Sequence, residues 1–109
     1  MGIAMTRALG DAVMKRAGII PTPEITCLDL DKEFDNCNGK CTVRVLIGSD
    51  GIFDVVKNEE ANAQISGTSL QQGCEQLVEE ARRKWKAGLP MDVRIDDTSV
   101  VSLSFQYSK

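Results

Sequence analysis

Apolar and polar residues alternate most regularly near the C-terminus, where Val101, Leu103, Phe105 and Tyr107 are separated by Ser102, Ser104 and Gln106. A period of two sends the two sets to opposite faces of a β-strand, one face in the core and the other wet or covered by a helix. Thr42 to Ile47 is a β-branched run with the composition of a buried strand, and it stops at Gly48-Ser49-Asp50-Gly51, where glycines permit a sharp turn. Between these strands the period changes to that of a helix. Leu70, Cys74, Leu77, Val78, Ala81 and Trp85 share one side of a helix that Ser69 and Gln72 open as a capping box and that Gly88 and Pro90 end. Asn58 is placed to cap a shorter helix with Glu59 and Glu60 in its first turn, near the positive end of the helix dipole.

The N-terminal third is less regular. Residues 2–17, GIAMTRALGDAVMKRA, run from an apolar entry into good helix formers and end at Gly18. Pro21 and Pro23 then force an extended or turning connector. Ile25, Cys27, Leu28 and Leu30 suggest a strand, which the polar stretch Asp31 to Lys40 ends, and Asn38-Gly39 within it signals a hairpin. With no internal repeat, low-complexity tract or second composition regime, residues 1–109 read as a single domain.

Composition narrows the function classes. With 42% hydrophobic and 27% charged residues in 109, the chain has the profile of one soluble globular domain with a modest core. The net charge of −3 comes from 16 acidic and 13 basic residues, and the basic ones form no stripe interleaved with aromatics, so no nucleic-acid partner is expected. No apolar run approaches the ~20 residues that span a bilayer, and no secretory layout opens the chain. No membrane association and an intracellular, cytoplasmic or nuclear location are therefore expected. Cys27, Cys37, Cys41 and Cys74 could form two disulfides in a secreted protein, but their spacing is irregular and no export signal opens the chain, so they read as free thiols, and a structural zinc would need all four.

Candidate chemistry lies in the acids. Asp50 follows one strand, and Asp96 and Asp97 precede another. If those strands are antiparallel neighbours, the end of the first and the start of the second share an edge and the carboxylates converge there. Close carboxylates repel unless a proton or a cation neutralises them, and oxygen-only ligands favour hard ions such as Mg²⁺ or Mn²⁺. Each acid also has a plainer explanation: Asp50 as a turn residue satisfying backbone N–H groups, Asp96 and Asp97 as a solvated loop.

The segments GIAMTRALGD (2–11), IGSDGIFDVVKNEEA (47–61) and DDTSVVSL (96–103), with Pro23-Glu24-Ile25 between the first two, cover nearly the whole chain. In order and spacing they resemble late motifs of the type 2C metal-dependent serine/threonine protein phosphatases, in the C-terminal portion of that catalytic domain. The resemblance implies a mixed α/β (α+β) fold forming part of a four-layer α-β-β-α sandwich with antiparallel sheets. It implies Asp50 and Asp96 as metal ligands, Asp54 at a weaker additional site, Mg²⁺ or Mn²⁺ as cofactors, and phosphoserine or phosphothreonine in a phosphoprotein as substrate, hydrolysed by a metal-activated water. Arg7, Gly10, Asp11 and Gly51 belong to the same motifs and are expected to be structural, and Trp85 is expected in the core.

Departures accompany the matches. The family's early acidic residue, its D-G-H-G motif and its phosphate-binding Arg have no counterpart in this chain, which has no His, and Asp97 stands where the family has mostly Asn. The expectation is a fragment that alone binds metal poorly, hydrolyses little and self-associates through strand edges left unpaired. Met1 to Thr6 also fits an N-myristoylation pattern, but Gly2 to Asp11 is equally the internal family motif. The alternative functional reading is a non-catalytic pseudophosphatase or protein-interaction module on the same fold. A third is a structural α/β domain with chance motifs.

Overall fold

The computed structural model describes residues 5–88 and 95–108. The chain divides into two compact units, Met1–Asp35 and Asn36–Lys109.

In the first unit, the stretch of helix formers that ends at Gly18 makes, among the described residues, only one 3-10 turn, Met14–Ala17. Gly10 at φ 79° and Asp11 at φ 48° turn the chain just before it, which breaks the run of helix formers into pieces too short to propagate. The connector after Gly18 folds back so that Ala8 N–H donates to the Ile20 carbonyl at 3.1 Å and Ile20 N–H donates to the Thr6 carbonyl at 3.2 Å. The strand expected at Ile25 to Leu30 does not form: Ile25 to Asp29 is exposed and has no regular secondary structure, and Leu30 begins a single helical turn, α1 (Leu30–Glu33), capped by the Asp29 carboxylate. Without a neighbouring strand to take its backbone groups, a short apolar run has nothing to make it β.

The second unit is built on an antiparallel ribbon of β1 (Lys40–Gly48) and β2 (Val100–Ser108), in register from Lys40 opposite Ser108 to Gly48 opposite Val100. Asn38-Gly39 leads into β1, with Gly39 at φ 97°, but the strand it starts pairs with the far end of the chain and not with a local hairpin partner. The segment from Cys37 to Cys41 is closed by a disulfide, with Cα atoms 6.2 Å apart, so two of the cysteines expected as free thiols are bonded; Cys27 and Cys74 are free. The positive φ of Gly39 curls this segment tightly enough to bring the sulfurs together.

From β1 the chain passes into α2 (Asp50–Phe53), α3 (Asn58–Ser66) and α4 (Leu70–Gly88). The Ser69 hydroxyl accepts from the Gln72 N–H at 3.3 Å to open α4, as the capping pattern predicts, whereas α3 is capped at Lys57 and not at the expected Asn58, which is its first helical residue: the Lys57 N–H donates to the Glu60 carboxylate at 3.0 Å. Pro90, expected as part of the α4 stop, lies outside the described residues. Ile52, Val56, Ala61, Leu77 and Ala81 form the core, with Leu46, Val55, Val78 and Val100 packed against it.

The helices cover the polar side of the ribbon, as one of the two outcomes expected for that face, but this chain's core lies there and not on the apolar side. Leu46 and Val100, which meet the helices, share a face with Ser102, Ser104 and Gln106. The opposite face carries Val45, Ile47, Val101, Leu103 and Phe105, and it is open, with Ile47 59% and Val101 61% exposed. Of that row Val43 is buried. The alternation is therefore real, but the apolar side is not the one this chain's helices cover. Gly48 helps decide the side: a Cβ there would sit 2.8 Å from the Phe53 ring, so its absence lets α2 close onto the Leu46 face.

Candidate functional site

Because Gly48 pairs with Val100, the residues that follow β1 and those that precede β2 lie at one end of the ribbon. Ser49 ties them together. Its N–H donates to the Ser99 carbonyl at 3.0 Å, its hydroxyl donates to the Asp97 carbonyl at 3.1 Å, and the same hydroxyl accepts from the Ser99 N–H at 3.1 Å. Gly51 completes the junction, since a Cβ there would fall far inside contact distance of the Asp97 carbonyl oxygen. Its buried position allows glycine alone. The role expected for this glycine, a sharp turn, is thus replaced by a close approach between two segments.

Asp50 opens α2 and Asp54 closes it, the Asp54 N–H donating to the Asp50 carbonyl at 2.9 Å. The Asp50 carboxylate accepts from the Gly51 N–H at 3.0 Å, and the Asp96 carboxylate accepts from the Asp97 N–H at 2.9 Å. All three acids and Asp97 are exposed, and none forms an ion pair among the described residues. Asp97 contributes to the junction through its backbone, so the acid in place of an amide leaves that contact intact. Asp96 and Asp97 also line a cleft of about 640 Å³ with Arg82, Lys86, Ile95, Thr98 and Ser99, which sets two basic groups in the same hollow as two acids.

The donor chemistry suits a share of a hard-cation site: oxygen only, exposed, on one end of the ribbon and with no cationic side chain bound to it. It is not a complete site. Among the described residues no group of three or more His, Cys, Asp or Glu is gathered closely enough to hold an ion.

The other motif residues sit in the first unit. Arg7 donates to the Thr22 carbonyl at 2.8 Å and pairs with the Glu24 carboxylate at 2.9 Å, linking two of the sequence motifs, while Gly10 and Asp11 make the positive-φ turn described above.

Sequence reasoning passed over Ser49 and misassigned Trp85. Trp85 is half-buried on α4, and its indole N–H donates to the Gly51 carbonyl at 2.8 Å, at the junction itself. A half-buried indole needs an acceptor, and that requirement is the signal in the sequence that could have pointed to it.

Residues 1–87 match the family described as Protein phosphatase 2C. Among curated relatives, Probable protein phosphatase 2C 12 of Oryza sativa subsp. japonica is 35% identical over 103 residues, covering 94% of this chain and 24% of the relative. Probable protein phosphatase 2C 64 of the same organism is 37% identical over 103 residues (94% of this chain and 22% of the relative), and Probable protein phosphatase 2C 61 of Arabidopsis thaliana is 34% identical over 104 residues (94% and 29%). The chain thus spans only about a quarter of the length of these relatives. No solved structure matches it. No helix among the described residues is long and apolar enough to cross a membrane.

Proposed function

This chain belongs to the protein phosphatase 2C family, and on that premise we propose that it carries part of the active site of a metal-dependent protein serine/threonine phosphatase. The observation that carries the reading is the Ser49 bridge, which holds the segment bearing Asp50 to the segment bearing Asp96. Asp50 and Asp96 are the residues that would hold Mg²⁺ or Mn²⁺, with Asp54, at the end of the single turn that begins at Asp50, at a weaker outer position. When bound, such an ion supplies the Lewis acidity that makes water a phosphoester nucleophile near neutral pH. This chain's own part is to present the carboxylates at a fixed spacing, and the remaining ligands come from sequence outside it.

On this reading residues 1–109 are the C-terminal portion of one catalytic domain, the ribbon belongs to one of two facing antiparallel sheets in a four-layer sandwich, and the substrate is a phosphoprotein. The chain alone is inactive for want of ligands. The second reading is a non-catalytic module on the same fold, which needs no metal site at Asp50 and Asp96.

Line broadening by Mn²⁺ in NMR spectra of this chain tests the metal proposal. At low millimolar Mn²⁺ the Gly51 and Asp97 amides are expected to broaden together, and Asp50→Asn or Asp96→Asn to raise the concentration required by about tenfold or more for both. Broadening scattered over surface acids, or an Asp50→Asn chain in which Asp97 responds as before, would remove the basis of the reading and leave the non-catalytic module.

A further inference from the structure

We propose that Trp85 is a positioning residue for Asp50: its indole N–H, by holding the Gly51 carbonyl, keeps the turn that carries Asp50 seated against the Asp96–Asp97 segment. The effect on metal binding rests on the proposed function, whereas the clamp itself stands on the geometry.

The helix that begins at Asp50 is one turn long, Asp50–Phe53. A single turn has too few hydrogen bonds to hold itself, and its last carbonyls lack partners within the helix. The Asp50 carbonyl accepts from the Asp54 N–H at 2.9 Å, and the Ile52 carbonyl accepts from Val55 at 3.2 Å and Val56 at 2.9 Å. The Val55 N–H, which in a continuing helix would serve the Gly51 carbonyl, has therefore gone to Ile52. That leaves the carbonyl of a buried residue without a backbone donor, a costly state that native structures avoid. The Trp85 indole supplies the donor at 2.8 Å from another helix.

Gly51 is consequently held on three sides. Its N–H meets the Asp50 carboxylate at 3.0 Å, its carbonyl meets Trp85, and its bare Cα faces the Asp97 carbonyl. Removing one of the three leaves Asp50 on a turn that can lift from the Asp96–Asp97 segment. The rotation of α4 that aims Trp85 here is set next door, where the Lys84 ammonium pairs with the Glu60 carboxylate of α3 at 2.7 Å.

Trp85→Phe retains an aromatic ring and deletes the N–H. In the unsubstituted chain, the Trp85 indole N–H is expected to exchange with solvent at least about tenfold more slowly than in a short peptide, because opening must precede exchange. In Trp85→Phe, the amides of residues 51–55 are expected to exchange about tenfold faster, with the core amides of α3 and α4 unchanged. The Mn²⁺ concentration that broadens Gly51 and Asp97 together is expected to rise about tenfold, the range seen when groups supporting a ligand are removed. A substitution that merely loosened the core would raise exchange throughout α4 and fails this pattern.

An indole that exchanges at the peptide rate overturns the proposal. So does a Trp85→Phe chain whose 51–55 amides and Mn²⁺ response are unaltered. If the unsubstituted chain shows no joint broadening, the metal reading falls and the exchange data alone decide the clamp. If Trp85→Phe unfolds, the indole exchange rate of the unsubstituted chain decides it.

Discussion

Gly51 concentrates more of the candidate site's geometry than either acid beside it. It lies between the Asp97 carbonyl and the Trp85 indole, and no side chain fits there. Gly51→Ala must push the two segments apart, and a loss of about 1–3 kcal/mol in a urea melt is expected, the usual cost of overfilling a packed position. Asp97 gives the opposite expectation. Its described contacts to Ser49 and Asp96 are made by backbone atoms, so Asp97→Asn is expected to change stability by no more than about 0.5 kcal/mol in the same assay. A larger change would mean that the acid itself, and not the main chain, supports the junction.

Among the elements, α4 does the most to organise the second unit. Leu77 is fully buried between the helices and the ribbon, and Leu77→Ala is expected to cost about 2–5 kcal/mol by urea unfolding. The charged face of α4 carries pairs within the helix and one beyond it. Glu80 does hold Arg83 at 2.6 Å and Lys84 at 3.9 Å, but the shorter bond of Lys84, 2.7 Å, goes across to Glu60 on α3. Hydrogen bonds from Lys84 and from the Lys57 N–H hold the Glu60 carboxyl below its ordinary value of 4.5. The folded chain then takes up that proton less readily than the unfolded one. This contribution is complete above the unfolded value and is lost as the pH falls through the lower folded value. Glu60→Gln is expected to flatten the fall of the urea midpoint as the pH drops below the unfolded value of 4.5, and an unchanged slope would show the pair to be without weight.

For the whole molecule, the open face of the ribbon is the dominant feature. Val45, Ile47, Val101, Leu103 and Phe105 form a contiguous apolar row on a two-stranded sheet, and both strands are edges among the described residues. Such a surface is rare on a monomer and drives association. Sedimentation is expected to show concentration-dependent self-association of this chain, reduced by Ile47→Lys with Leu103→Glu. A concentration-independent monomer would show that the row is tolerated in water.

Local pattern determined a good deal by itself. Both strands, the capping box at Ser69, the helix bearing Leu77 and the shared margin of Asp50 and Asp96 were readable, because each depends on short-range periodicity or on the direction of one strand pair. The family was readable from three motifs in order. Tertiary structure decided the rest. Nothing in a period of two says which face a helix will cover, and the helices took the side marked by Leu46 and Gly48. Ile25 to Asp29 formed no strand because strand formation needs a partner that sequence does not name. The Cys37–Cys41 bond and the Trp85 contact to Gly51 likewise arise from where the backbone brings groups together, a non-local outcome that propensity and spacing do not encode.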